Sequence, residues 1–292
     1  MSVLVVGDVI TDIIAIPEGP IVRGSDRRAT IRSRPGGSAA NLAVWLASLK
    51  VPVTFAARVG AADVDRWSAH FRARGVTTHL AADPDLPSGV LISIVDTDGE
   101  RSFLTDRGAN LNLSADDLPA SLLDGVSLLA VSGYSYFADV PRAGVMGLVK
   151  EARARKIATV VDPASVGFLR EVRVEMFLRW TQGIDTIFTN VDEATELTGS
   201  SDPDLQMRTL GRLFGRVVLK RGAAGAALGG RNGVTLSLPA PLSDAIDSTG
   251  AGDAFAAGYI AAELRGEPAE SCLRAGIAAG AAAVATIGGQ PQ

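Results

Sequence analysis

One cysteine and two histidines in 292 residues leave little room for disulfide, thiol or imidazole–metal chemistry. Cys272 has no second thiol to pair with, which excludes an internal disulfide framework and fits a reducing cytosol. It reads as a small apolar residue in a helix. His70 and His79 lack metal-ligand spacing and receive no role. The formal net charge is -4, so no basic field draws the chain to nucleic acid. A basic leader is also missing, because MSVLVVGDVITD meets Asp8 and Asp12 almost at once. The longest uncharged run, Ala275 to Gly289, falls short of the roughly 18 apolar residues of a membrane span. It is Ala/Gly-rich and reads as a closely packed buried helix. The expectation is a cytoplasmic chain with neither a nucleic-acid nor a membrane partner.

Two familiar phosphate fingerprints are absent as well. There is no G-x-x-x-x-G-K-[ST], and neither Gly7 nor Gly250 opens a G-x-G-x-x-G, because Val9 and Phe255 stand at required glycines. A nicotinamide-dependent oxidoreductase therefore has no support.

What is present is 47% hydrophobic residues, ample for a large core. Short β-branched runs begin at Val3, Val53, Ser127, Ala158, Asp185 and Val217. Between them lie helical patterns over Ala39–Leu49, Val64–Arg74, Arg142–Arg155 and Leu205–Phe214. This alternation predicts an α/β fold with a mostly parallel sheet covered by helices on both faces. Ligands in such sheets bind beyond the carboxyl ends of the strands. Two segments break the rhythm. Ile13 to Pro35 has no helical period, and Ser88 to Arg107 reads as a hairpin turning at Asp96-Thr97-Asp98-Gly99. Residues 13–35 and 88–107 are thus expected to form a small β lid. The main domain takes residues 1–12, 36–87 and 108–292.

The most informative stretch is Asp247-Ser-Thr-Gly-Ala-Gly-Asp253, followed by a helical AFAAGYIAAEL. Gly250 and Gly252 allow a tight turn before that helix, with Asp253 in its first turn. Such a turn aims backbone N–H groups and the positive end of the helix dipole at one point, where a transferring phosphoryl group fits. A carboxylate beside it can accept a proton from an attacking hydroxyl. The plain alternative is a packing turn with Asp253 as a cap.

DSTGAGDAF resembles the D-T-x-G-A-G-D signature of the ribokinase family, the phosphofructokinase-B (PfkB) type of carbohydrate kinases. Other matches follow in order: Asp12 after strand one, Pro35-Gly36-Gly37-Ser-Ala-Ala-Asn41, Arg107-Gly108-Ala109-Asn110, Asn190-Val-Asp-Glu193, and Lys220-Arg-Gly222-Ala-Ala-Gly225. The resemblance implies a ribokinase-like fold and transfer of the γ-phosphoryl group of ATP to a hydroxyl of a sugar or sugar-like substrate. A nucleoside kinase of the same family, of the pseudouridine or adenosine type, is the alternative. A non-catalytic ligand-binding regulator is the reading outside that class.

By resemblance, Asp253 is the general base, and the backbone around Gly250, Ala251 and Gly252 is the anion hole. Asp12, Gly36, Gly37, Asn41, Arg107 and Asn110 face the substrate. Asn190, Lys220, Gly222 and Gly225 face the nucleotide. Glu193 organises Mg²⁺ through water. Asp247, Thr249 and Gly288 resemble a site for a monovalent cation such as K⁺, and a homodimer through the lid sheets is implied. Four positions depart from the pattern: Ile10 replaces a polar residue, Ser38 replaces the lysine of ribokinase proper, Ile277 stands near the adenine, and Lys220 takes the place of a small hydroxyl residue. Arg23, Arg27, Arg28, Arg32, Arg34 and Arg107 crowd the lid. They read as a solvated strand face guarding an edge, or, for Arg107 first, as partners of an anionic substrate.

Overall fold

The computed structural model describes residues 1–95, 101–242 and 246–291. The chain opens with β1 (Ser2–Val6), whose alternate residues face opposite cores. Val3 and Val5 belong to one buried cluster, Leu4 and Val6 to the other. A strand apolar on both sides belongs at the centre of a helix-covered sheet. It is followed by β2 (Ile10–Pro17), β3 (Ala29–Gly36), α1 (Ser38–Ser48), β4 (Val53–Gly60), α2 (Val64–Arg72) and β5 (Thr77–Asp83). Next come β6 (Gly89–Val95), β7 (Arg101–Asp106), β8 (Val126–Ser132), α3 (Asp139–Ala154) and β9 (Ala158–Asp162). The rest is α4 (Val166–Val172), α5 (Val174–Trp180), β10 (Thr186–Asn190), α6 (Val191–Thr198), α7 (Pro203–Phe214), β11 (Arg216–Lys220), β12 (Ala226–Gly230), β13 (Gly233–Leu238), α8 (Ala251–Leu264) and α9 (Ala269–Val284).

The main sheet runs β13-β12-β11-β10-β9-β8-β1-β4-β5. It is parallel from β11 to β5, and β12 and β13 turn back as an antiparallel edge. One core packs α1, α2, α8 and α9 on the sheet, and the other packs α3 to α7. Five adjacent strands then end in polar residues on one rim: Lys220 on β11, Asn190 on β10, Asp162 on β9, Ser132 on β8, and Asp8 two residues past β1. In a parallel sheet all carboxyl ends share a side, so the topology alone gathers these groups.

The second sheet has the order β3-β2-β6-β7, with β2 and β6 parallel and the outer pairs antiparallel. Its first strand starts at Ile10, three residues before the expected lid boundary, so Asp12 lies within a strand and pairs with Arg34 and Leu91. The expected turn from Asp96 to Gly99 lies outside the described residues. The helix expected from Ala275 to Gly289 also differs. It begins at Ala269 and stops at Val284, because Gly288 takes a left-handed φ of 101° and the segment turns back towards the glycine loop. Among the described residues no helix is long and apolar enough to cross a membrane.

Candidate active site

Gly250 caps α8 with φ 72°, and a Cβ there would meet the backbone of Gly289 at 2.5 Å. Only glycine can pass this point. The turn leaves the first N–H groups of a 14-residue helix without a side-chain cap, and Asp253 falls in that first turn. Both oxygens of Asp253 are held from α1. Ser38 Oγ donates to Oδ1 at 2.7 Å, and Asn41 Nδ2 donates to Oδ2 at 3.0 Å. Burial pushes its pKa up to about 7, against the pull of these two hydrogen bonds and of Lys220, while the Asp162 charge adds to the rise. A carboxylate poised near neutrality suits a general base.

Two cavities meet at this helix end. The larger, about 490 Å³, has a wall of Gly222, Gly225 and Lys220 and an apolar side that includes Phe255, Ile277 and Val284. The smaller, about 260 Å³, contains Asp12, Arg107, Asp253 and Glu193. Lys220, Asn190 and Gly252 line both. The Lys220 ammonium pairs with Asp162, and its Nζ lies 3.1 Å from where a Cβ on Gly252 would sit. Burial disfavours that ammonium, but Asp162 and Glu193 outweigh it and hold its pKa above the ordinary lysine value.

Asn190 and Glu193 form a capping box at the start of α6. Glu193 N–H donates to Asn190 Oδ1 at 2.8 Å, and Asn190 N–H donates to Glu193 Oε2 at 2.9 Å. Glu193 is buried, and burial with the Asp162 charge pushes its carboxyl up to about 7. The donor chemistry can be tested against Mg²⁺. Among the described residues no three acidic, histidine or cysteine side chains form a direct ligand set. Mg²⁺ keeps most of its water and binds through one or two carboxylates together with phosphates. Glu193 and Asp162 line the smaller cavity beside Asn190 and Lys220, which border both cavities, and fit a hydrated ion of that kind.

Beside the smaller cavity, Gly36 packs so closely on Asp12 that a Cβ would overlap its carboxylate. Burial, then the charges of Asp8 and Asp247, pushes the Asp12 carboxyl up to about 7. Gly37 precedes α1 with φ 99° and lines the same cavity. Asn110 sits elsewhere than expected. Its Nδ2 donates to Val9 O at 3.0 Å and Arg107 O at 2.8 Å, and its Oδ1 accepts from Val9 N at 3.0 Å. It clamps two backbone segments and does not line the cavity, so it shapes the wall from behind. Asn41 lines the cavity but donates to Asp253, a partner that its motif did not suggest. Asp247 ties the glycine loop to the chain end by accepting from Thr249 N at 2.9 Å and Gly288 N at 3.0 Å.

The family profile described as pfkB family carbohydrate kinase matches residues 1–292. The chain belongs to the pfkB family. This pfkB chain is 30% identical over 312 aligned residues to the bifunctional protein HldE of Pseudomonas syringae pv. tomato, covering 98% of itself and 61% of that protein. It therefore spans about three-fifths of that relative's length. It is 30% identical to the aminoimidazole riboside kinase of Salmonella typhimurium, with 89% of this chain and 80% of that protein covered. Among solved structures, the adenosine kinase from Sinorhizobium meliloti superposes with a TM-score of 0.88 at 23% identity, covering 99% of this chain and 95% of that one. The ribokinase-like fold of the pfkB chain is thereby established.

Three site residues escaped the motifs. Asp162 ends the ATVVD strand, so its place on the rim was readable, but nothing local links it to Lys220. Ser38 was noticed only as a missing lysine. Tyr134, beyond β8, lies under the Arg107 guanidinium, 5.8 Å from its ring centre, and carried no signal.

Proposed function

We propose that the chain transfers the γ-phosphoryl group of ATP to a hydroxyl of a small sugar or nucleoside. The carrying observation is Asp253, held by two hydrogen bonds where a nucleotide-sized cavity meets a monosaccharide-sized one. The apolar side of the larger cavity suits a purine ring, with Ile277 in contact through packing alone. Lys220 and the N–H groups around Gly250, Ala251 and Gly252 suit the phosphates. The acceptor lies in the smaller cavity, gripped by Asp12 and the backbone at Gly36 and Gly37.

As the acceptor oxygen bonds to the γ-phosphorus, its proton passes to the Asp253 carboxylate and the bond to ADP breaks. Charge on the transferring oxygens meets the first turn of α8 and the Lys220 ammonium, both fixed before reaction. Asn190 and Glu193, with Asp162 beside them, would hold a hydrated Mg²⁺, which would supply neutralisation of phosphate charge. We assign Asp247, Thr249 and Gly288 to a K⁺ site that sets the loop's shape, to be tested by exchanging K⁺ for a large organic cation. A homodimer through the second sheet is proposed from Ile31 and Phe103, exposed 66% and 57% on its outer strands. Sedimentation of the Phe103→Lys variant as a dimer would remove that assembly.

The test of function is ADP release with a panel of sugars, sugar acids, sugar phosphates and nucleosides. Turnover that needs both ATP and one acceptor supports the kinase. Tight acceptor binding with no turnover in Mg²⁺ and ATP would favour a regulator instead.

A further inference from the structure

The acceptor cavity contains a buried cation that no described residue neutralises by contact. The lid arginines Arg23, Arg27, Arg28, Arg32 and Arg34 are exposed, as a solvated strand face should be. Arg107 is not. It is 8% exposed, lines the cavity with Asp12 and Asp253, and has only the Tyr134 ring as a described contact for its guanidinium. Among the described residues the guanidinium makes neither a hydrogen bond nor an ion pair, in contrast to Arg58, which bonds Asp83 and Asp117. We infer that the phosphate acceptor carries an oxyanion, a carboxylate or a phosphate ester, that docks on the Arg107 fork. This rests on the kinase reading, because it names the substrate class of the same site.

The surroundings support an anion there. An arginine stays charged even when buried, and its five donors form a rigid fork that matches carboxylate and phosphate oxygens. Leaving such donors unmet is costly, so a cavity that exposes them is shaped for a ligand that meets them. The Tyr134 ring lies 5.8 Å from the Arg107 guanidinium carbon, a contact that stabilises the cation without using its N–H donors. Burial disfavours the Arg107 charge and the Asp8 charge favours it, but neither Asp8 nor Asp12 makes an ion pair with it among the described residues. Asp8 accepts from Ser38 N at 3.0 Å and Ser132 Oγ at 2.9 Å, so it serves to hold α1 on the sheet rim. Asp12 faces Gly36 and grips hydroxyls. Arg107 and Asp12 thus divide the cavity into an anion end and a hydroxyl end, with Asp253 receiving the hydroxyl that reacts.

Matched trios on pentose, hexose and nucleoside skeletons test this: the neutral compound, the corresponding acid and the phosphate ester. Calorimetry with a non-hydrolysable ATP analogue reads binding without catalysis. One anionic member should bind at least about 10-fold tighter than its neutral parent, and whether it is the acid or the ester identifies the source of the oxyanion. Arg107→Met should reduce that preference by about 10- to 100-fold, the worth of a charge-assisted pair. Arg107→Lys, which keeps charge but loses the fork, should retain only part of it, and circular dichroism confirms folding of both. No preference for an anion in any trio, or a preference that survives Arg107→Met, overturns the inference. The two readings fail separately. Anion binding without phosphoryl transfer sinks the kinase and leaves the anion site standing, whereas equal turnover of neutral and anionic members does the reverse.

Discussion

At the residue scale the site turns on one proton acceptor and the groups that tune it. Asp253 must be ionised to take the acceptor's proton, and burial lifts its pKa to about 7. Turnover should therefore rise with pH up to about 7 and then level. Ser38→Ala removes a hydrogen bond that stabilises the ionised form, so the rising limb should move to higher pH. Lys220→Met removes a stabilising charge and should move the limb the same way. A pH–rate profile of the three proteins reads this directly, and unchanged limbs would show that Ser38 and Lys220 do not tune the base. Asp253→Asn should lower kcat by about 10²–10⁴-fold with little change in KM, the usual worth of a general base. Asp12→Ala should act mostly on KM, because Asp12 grips hydroxyls before and during transfer alike. An Asp253→Asn enzyme with near-normal kcat would remove the central claim.

At the element scale, strand ends and helix starts converge on the two cavities, and the proposed phosphate site lies at the start of α8. The capping box shows how closely stability and function are joined. Asn190→Ala should destabilise the fold by about 1 kcal/mol, the cost of losing a helix cap, measurable by chemical denaturation. Glu193→Gln keeps an acceptor for the Asn190 N–H but loses the charge. It should leave stability nearly intact while raising the Mg²⁺ concentration for half-maximal rate, and identical Mg²⁺ titrations would end that assignment. These elements differ in how far their residues announced them. The branched runs of β1, β4 and β8 to β11 marked the central sheet, and the glycine turn with its two acids marked the helix start. The edge strands β12 and β13 were unmarked, because AALGG owes its extended form to pairing with β11, and GVTLSL to pairing with β12 in turn, more than to their own side chains. Asp162 with Lys220, and Ser38 with Asp253, are contacts across long stretches of chain. Periodicity within a segment carries no information about them.

At the scale of the whole molecule, gathering acids around one cavity has a thermodynamic consequence. Burial pushes Asp12, Glu193 and Asp253 each up to about 7, well above their unfolded values near 4. Between those values the folded chain binds more protons than the unfolded one, so stability falls as pH rises through about 7. Asp83 works in the opposite sense and in another window. Burial disfavours its charge, but hydrogen bonds from Leu86 N–H, Asn112 and Arg58 prevail and hold its carboxyl below the usual range. Its contribution is present above about pH 4 and is lost as pH falls further. The two trends meet in a stability maximum at about pH 4, below the pH at which Asp253 becomes an effective base. The melting temperature should accordingly fall between pH 5 and pH 8. Net negative charge could produce a slope of the same sign by general repulsion, so the diagnostic is a substitution that removes one buried titration while altering few contacts. Asp12→Asn should flatten the decline, raising the melting temperature at pH 8 more than at pH 5. A charge-removing control at exposed Asp192 should not. If both substitutions change the slope equally, repulsion over the surface explains the decline and the buried acids do not.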